Sequence, residues 1–380
     1  MQKLSLIIFI PIVLISCSKI AKENKQHFAQ QVEDYHNQYE AYQQVDIKKA
    51  ESYIDSIQIV SQKNEYPKGL GIALLDKSSI ENIKGNYNLS FSYGKKALAQ
   101  FMAIPNDTLS AKAYSAIGIS YWQKGENTQA LRNHHAALAI NEKLGQKNES
   151  ATNYNHISMV YQLKGDVKMA EEFVHKAMNI IEQLPPNKNH LSILHNMANI
   201  YGMQEKYEEA LKLDSIGLKY CELLNIEFSK SKFFDNMANC YYYDNKLTDA
   251  IEYHLKAIAI DSSFGNNKQL GDTYCNLGAI YEENNDYERA IYYYKKSIEL
   301  CKNVGYKTGV KNALELLSGV YEEQGKHEEA YDLLKQSMQV KDSIINEASE
   351  KKIAEMQTLF DTEKKKQEIE RQKLKISNRN

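Results

Sequence analysis

Apolar residues recur along this chain at intervals of three and four, the spacing that places side chains on one face of a helix. The pattern repeats as a whole with a period of 40 residues. Ala130, Ala170, Ala210, Ala250, Ala290 and Ala330 keep this period without a slip, and Tyr121, Tyr161, Tyr201, Tyr241, Tyr281 and Tyr321 precede them by nine. Small residues stand three before each Tyr (Gly118, Ser158, Ala198, Ala238, Gly278, Ser318) and seven after each Ala (Ala137, Ala177, Gly217, Ala257, Ser297, Ser337). Four after each Tyr come Gly125, Gly165, Glu205, Asn245, Asn285 and Gly325. Gly and Asn tolerate positive φ where a helix ends and the chain reverses. Glu205 is the exception and predicts a looser turn. Upstream of the turn, Tyr274, Leu277 and Tyr281 share a face with Gly278 between them; downstream, Ala290, Tyr294, Ser297 and Ile298 share another. The predicted unit is a pair of antiparallel helices brought close by the small residues, with Tyr rings beside them.

The register extends backwards with less fidelity. Gly85, Ser90 and Ala97 match one unit in which Glu81 replaces the Tyr, and Ala50 and Ile57 mark another with Val45 at the turn. Degenerate units are expected at the ends of an array, where a cap is needed. About eight hairpins are predicted over residues 27–340.

Both chain ends depart from the repeat. Lys3 precedes an apolar run from Leu4 to Ile15, broken by Ser5 and Pro11 and closed by Leu14-Ile15-Ser16-Cys17. A bilayer core of ~30 Å takes ~20 helical residues, so this run is too short to span it. It fits the apolar stretch of a signal peptide over residues 1–16, followed by a linker over 17–26. At the other end, 341–380 carries no Gly or Pro and many Glu, Lys and Gln, which predicts a long charged helix. Ile353, Met356 and Phe360 give it one apolar stripe, but Glu363, Gln367 and Glu370 follow at the core spacing. A self-sufficient coiled coil is therefore not supported.

Composition narrows the function classes. The formal net charge is −2, and no basic stripe with interleaved aromatics is present, so nucleic acid is not an expected partner. There is no HExxH, Gly-rich phosphate loop or GxSxG motif, so no enzyme, metal or cofactor is indicated. His134 and His135 are adjacent on a helix and diverge, with His134 at a packing position. Cys221, Cys240, Cys275 and Cys301 have no metal-knuckle spacing and read as small apolar residues on helices.

The signature Leu277-Gly278-Ala279-Ile280-Tyr281, with Ala290 and Ser297 following, resembles the tetratricopeptide repeat family. That resemblance implies an all-α, right-handed superhelical solenoid of about eight hairpins plus a long C-terminal helix. The family period is usually 34, and the extra residues are expected at the end of the second helix and in the link, as at Leu144-Gly145-Gln146-Lys147. The resemblance also implies a concave groove for an extended peptide or a protein. Asn196, Asn236 and Asn276 recur five before the Tyr, and Asn199 and Asn239 two before it. Asparagine amides offer donors and an acceptor to a peptide backbone; the plainer role is solvation of an exposed face. Asn155, His195, Lys232, Asp235 and Tyr242 neighbour them in register. Lys232 is the one cation placed there, so the likeness to a carboxylate clamp is partial.

The ending Leu14-Ile15-Ser16-Cys17 resembles a bacterial lipobox, which implies lipidation of Cys17. The resulting expectation is a protein anchored to a membrane by that lipid, in the bacterial cell envelope and facing the periplasm. Lys341-Asp342-Ser343, Ala354-Glu355-Met356-Gln357 and Thr362-Glu363-Lys364-Lys365 resemble the segment joining repeats to a membrane helix in Bacteroidota sensors. Two functions follow as expectations. The first is a lipid-anchored scaffold that binds a peptide or protein in its groove. The second is the sensory module of a histidine kinase or helix-turn-helix regulator without its transmembrane and output parts, with a signalling partner engaged through the C-terminal helix.

Overall fold

The computed structural model describes residues 26–43, 45–104 and 107–346, together with residues 364, 368 and 371. Residues 1–25, with the expected signal segment and Cys17, lie outside the described residues, as does the tail stripe Ile353, Met356 and Phe360. Sixteen helices run between residues 26 and 346. They are α1 (26–42), α2 (Ile47–Lys63), α3 (Pro67–Ile83), α4 (Tyr87–Ala103), α5 (Asp107–Gln123), α6 (Asn127–Lys143), α7 (Lys147–Leu163) and α8 (Val167–Ile181). The others are α9 (Lys188–Met203), α10 (Tyr207–Leu224), α11 (Lys230–Tyr243), α12 (Leu247–Phe264), α13 (Asn267–Glu283), α14 (Tyr287–Asn303), α15 (Lys307–Glu323) and α16 (327–346). They form stacked antiparallel pairs, a solenoid of the tetratricopeptide type with a trailing helix. Two compact units divide the chain after Asn225, so α1–α10 belong to the first and α11–α16 to the second. Among the described residues, no helix is long and apolar enough to cross a membrane.

The 40-residue period has a simple origin. Most helices have 17 residues, and most links have three. The link 144–146 between hairpins is as short as 124–126 within one. The expectation that extra length collects at the end of the second helix is thereby corrected: both helices are long. At most reversals one residue turns left-handed. Every positive φ among the described residues falls on this 20-residue grid, from Glu65 and Gly85 through Gly125, Gly145 and Gly165 to Gly305 and Gly325. The following N–H then bonds the carbonyl five residues back, as from Tyr66 to Ser61 (2.8 Å) and Asp286 to Tyr281 (2.8 Å). These bonds close the orphan carbonyls of the helix end. Glu205 does the same, with φ 62° and Lys206 N–H on Tyr201 O at 2.9 Å, so the looser turn expected there is not found. The left-handed conformation costs a non-glycine residue about 1–2 kcal/mol, and the closed helix end offsets it. The longest link holds Pro185 and Pro186 before α9, where the Asn187 side chain accepts the backbone N–H of Asn189.

The small residues sit where helices cross. Ala130, Ala170, Ala210, Ala250 and Ala290 are fully buried. The residue three before the Tyr complements one sixteen further on. A Cβ on Gly278 would meet the Tyr294 ring at 2.7 Å, and one on Gly118 would meet the His134 ring at 2.7 Å. Where that residue is Ser, its hydroxyl donates to the carbonyl twelve residues on: Ser158 to Ala170 (2.7 Å) and Ser318 to Ala330 (2.7 Å). The recurring Tyr rings stack within hairpins, Tyr281 on Tyr293 at 5.5 Å and Tyr241 on Tyr253 at 5.2 Å.

This packing predicts opposite outcomes for two glycines. Gly278→Ala forces a methyl group into the buried Tyr294 ring, at about 1–3 kcal/mol for overpacking, against about 1 kcal/mol gained in helix propensity. A Cβ on Gly319 would meet open space, so Gly319→Ala keeps the propensity gain alone. Chemical denaturation should show a lower midpoint for the first variant and a higher one for the second.

Candidate functional site

In the first unit the odd-numbered helices line a pair of cavities of about 720 and 470 Å³. Both contain His36 and Glu40 of α1, Lys112 and Ser115 of α5, and Thr152 of α7. The array curls enough that Glu40 forms an ion pair with Lys188 at the head of α9. Lys112 lies among these groups, exposed and without a carboxylate within ion-pair distance. The residues common to both cavities therefore offer a cation, Lys112, that among the described residues has no ion-pair partner, with two hydroxyls and a half-covered imidazole along an inner face of helices.

Polar contacts between odd-numbered helices gather at or beside one register. Positions 36, 76, 116, 156, 196, 236 and 276 hold His36, Asp76, Ala116, His156, Asn196, Asn236 and Asn276. His36 Nδ1 lies 2.9 Å from Asp76 Oδ2, joining α1 to α3. Ser115 Oγ lies 3.4 Å from His156 Nδ1, joining α5 to α7. Asn196 donates to Asn155 Oδ1 (2.7 Å) and Ser158 Oγ (3.2 Å) and accepts from Gln162, joining α7 to α9. In the second unit the neighbouring Asp235 does this work, accepting from Thr273 (2.9 Å), Gln269 (3.0 Å) and, at 3.0 Å, His254.

Burial decides the charges. Burial opposes the imidazolium of His36, but the hydrogen bond and charge of Asp76, with Glu40, outweigh it and raise its pKa. Burial also disfavours ionised Glu40, yet Lys188, with help from His36 and Lys112, holds its carboxyl below the ordinary value. His134 goes the other way: burial, then the nearby His156 and His135, press it well below the usual imidazole range. Its Nδ1 has no hydrogen-bond partner, which leaves no acceptor for a second proton there. Burial pushes His156, whose ring lies 4.9 Å from that of His134, down to about 4. In the second unit, burial and then the charge of Asp235 lift Asp261 to about 6 against the pull of Ser231, Asn266 and Lys232.

The asparagines singled out by sequence fall into three settings. Asn155, Asn196 and Asn236 are buried, Asn199 and Asn239 are half-buried, and Asn276 and Lys232 are exposed. Asn199 Nδ2 lies 3.2 Å from His195 Nε2. Asn196 is committed to holding helices together and is no simple surface amide. Asn276 differs because its would-be partners differ: Asp235, Ala238 and Tyr242 stand where Asn155, Ser158 and Gln162 serve Asn196. Asp235 is already saturated, and Ala238 has no hydroxyl. Sequence reading overlooked His36, Asp76, Lys112 and Ser115. The signal existed, since counting back from Asn196 by 40 reaches His156, Ala116, Asp76 and His36.

The tetratricopeptide repeat family is matched over residues 149–214 and 233–303. Three solved structures illustrate the likeness. The quorum sensor NprR of B. thuringiensis, in its apo form, is 17% identical with a TM-score of 0.61, covering 78% of this chain and 82% of that one. The Rap conjugation gene regulator of plasmid pLS20, in complex with the Phr* peptide, is 14% identical with a TM-score of 0.58, covering 84% and 96%. A signal transduction ATPase (STAND) protein of Pyrococcus horikoshii with a tetratricopeptide repeat sensor is 17% identical with a TM-score of 0.58, covering 83% of this chain. The present chain spans about half of that protein, at 49%. No functionally curated protein matches the chain. The repeat family consists characteristically of non-catalytic scaffolds. The expected localisation, lipid-anchored in the envelope and facing the periplasm, is overturned by these comparisons, whose proteins are sensors and gene regulators. The short apolar run and Cys17 that suggested it lie outside the described residues.

Two outcomes test this account of the site. Asn196→Ala leaves Gln162 and Asn155 with unmet groups and should cost about 1–3 kcal/mol of stability, whereas Asn276→Ala should stay within about 0.5 kcal/mol; thermal unfolding separates them. The second concerns acid. The folded state holds His134 and His156 neutral, while the unfolded chain takes up their protons near pH ~6.5. Their stabilisation is thus complete above that pH and falls away as pH drops toward about 4. His134→Leu, matching Leu334 at the same register, should show a smaller loss of melting temperature between neutral pH and pH ~5.

Proposed function

We propose that this chain, a repeat protein of the tetratricopeptide type, is a non-catalytic peptide-sensing module of a regulatory system. The observation that carries the reading is the cleft of the first unit, where Lys112, Ser115 and Thr152 present unpaired or rotatable polar groups along consecutive inner helices. An extended peptide has backbone donors and acceptors at regular intervals, and helices stacked at a constant step meet it with side chains at regular intervals. Lys112 supplies a cation for a carboxylate on the ligand. In the Glu40–Lys188 ion pair Lys188 is exposed and Glu40 half-buried, and pairs this accessible to water contribute only about 1 kcal/mol or less, so a ligand carboxylate can compete for Lys188. The Rap regulator solved with the Phr* peptide has the same fold over most of its length, and this supports a sensor over a passive scaffold. In this reading the signal is occupancy of the cleft.

The test begins with selection from a library of short random peptides displayed against the full chain. Selected peptides should bind Lys112→Ala at least tenfold more weakly, the loss expected for one charge-assisted hydrogen bond of about 1.5–3 kcal/mol. Hydrogen exchange should slow in residues 107–123 and 147–163 on binding. Selected peptides that bind Lys112→Ala and Ser115→Ala as tightly as wild type, with both variants folded, would place the ligand elsewhere.

A further inference from the structure

The smaller cavity of the first unit has two amides in its wall that the array leaves unmet. Asn141 of α6 and Asn153 of α7 both line the space of about 470 Å³, and each is only 3% exposed. Asn153 donates Nδ2 to Glu149 O at 2.8 Å, but its Oδ1 has no hydrogen-bond partner. Asn141 Oδ1 has none either. A buried carbonyl without a donor is costly, and native folds leave few of them.

The repeat shows that neither amide is needed for packing. Steps of 40 from Asn141 reach Phe101, Ile181, Cys221 and Cys301, all buried and apolar, and Asp261, which accepts from Asn266 at 3.0 Å. The same steps from Asn153 reach Ala73, Ala113, Ile193, Phe233 and Ala313, again buried and apolar, and Thr273, which donates to Asp235 at 2.9 Å. The two amides thus stand where other units place apolar or hydrogen-bonded side chains, and they do so at the wall of a cavity.

What this wall lacks is a donor. Glu149, one turn before Asn153, also lines the cavity and is half-buried. Among the described residues it has no cation within ion-pair distance. The cavity's two lysines answer other carboxylates: Lys188 pairs with Glu40, and the charge of Lys112 is felt at Glu40 and Asp76. The α6–α7 wall therefore offers a carboxylate and two amide carbonyls. An Asn side chain turns about a soft terminal torsion, so each amide can bring its carbonyl to the space it borders. A primary ammonium has three N–H donors and a positive charge, which match this wall in number and in sign. A carboxylate or phosphate would bring acceptors to acceptors, and an ordered water would meet the amides alone.

We propose that this wall is the seat of a primary ammonium on the ligand, held by the Glu149 carboxylate and the Asn141 and Asn153 carbonyls. The proposal rests on the reading of the cleft as a peptide site and gives that site a polarity, with the ammonium at α6–α7 and a carboxylate at Lys112 of α5. A free amino terminus and a lysine side chain both carry such a group.

Small amines test the seat without any peptide. Glycinamide, which mimics an amino terminus, or butylammonium, which mimics a lysine side chain, should raise the melting temperature of the full chain with concentration. N-acetylglycinamide should not. Glu149→Gln should abolish the rise, and Asn141→Leu should weaken it while leaving the chain folded. The selected peptides are then compared with free and acetylated amino termini. Where the terminus is the source, acetylation should lower affinity about tenfold or more, the worth of a charge-assisted hydrogen bond. Where a lysine is the source, its replacement by norleucine should do so instead. In Glu149→Gln the same change should cost almost nothing, because the two act on one contact. Peptides indifferent to both changes, together with no rise from either amine, overturn the proposal and leave ordered water at the amides. A preference for the free ammonium that survives Glu149→Gln overturns it too. Neither result touches the peptide reading of the cleft, which falls instead if the peptides ignore Lys112→Ala and Ser115→Ala while the amines still bind through Glu149.

Discussion

The structure depends on one constraint, which is that the chain must reverse direction every twenty residues with its helix ends closed. A helix end leaves four carbonyls unbonded. Here a single left-handed residue lets the next N–H reach back five residues, so most ends are satisfied in three residues of link. Short links force successive helices to lie antiparallel and adjacent, and adjacency demands small residues at the crossings. The buried Ala column and the Gly278–Tyr294 and Gly118–His134 complements follow from that demand.

With helices so close, polar groups on their inner faces have little water, and burial makes an unmet hydrogen bond costly. The array answers by pairing one polar register with the next, through His36 and Asp76, Ser115 and His156, and Asn155 and Asn196. These pairs align the odd-numbered helices of the first unit and leave only part of the polar inventory free. Lys112 stands outside these pairs, and the Thr152 hydroxyl is met within its own helix by Asn148 O. The polar wall and the open cleft thus lie on neighbouring rows of the same helices, four residues apart.

Much of the fold was legible in the sequence because its cause is local and repeated. The Ala, Tyr and small-residue columns each report one crossing, and all fell where they were expected. The turn at Glu205 was misjudged because residue preference was read as necessity, while the hydrogen bonds around it are as good as at any Gly. The extra six residues were misplaced because a repeat period fixes the sum of two helices and two links without dividing it. The site was harder. Whether an Asn bonds a ligand or a neighbour depends on what lies one repeat away, so identical letters at 196 and 276 have different burial. His36, Glu40 and Asp76 lay in the two degenerate hairpins, where the polar register survives after the packing signature has faded, while Lys112, Ser115 and Thr152 lay in regular hairpins whose packing columns say nothing of them.

The equal spacing of the reversals also bears on how such a chain can be remade. Because most helices with their links measure twenty residues, a block of forty excised or duplicated within the regular stretches rejoins with each small residue opposite its complement. Unequal crossing-over within the gene therefore yields intact arrays of other lengths, and no junction has to be repaired by later substitution. The polar rungs do not share this freedom, since His36 answers to Asp76 and Asn155 to Asn196 as individual couples. Copy number can drift while the inner wall must be rebuilt pair by pair, so lineages of this architecture should diverge faster in what their cleft recognises than in how their helices stack.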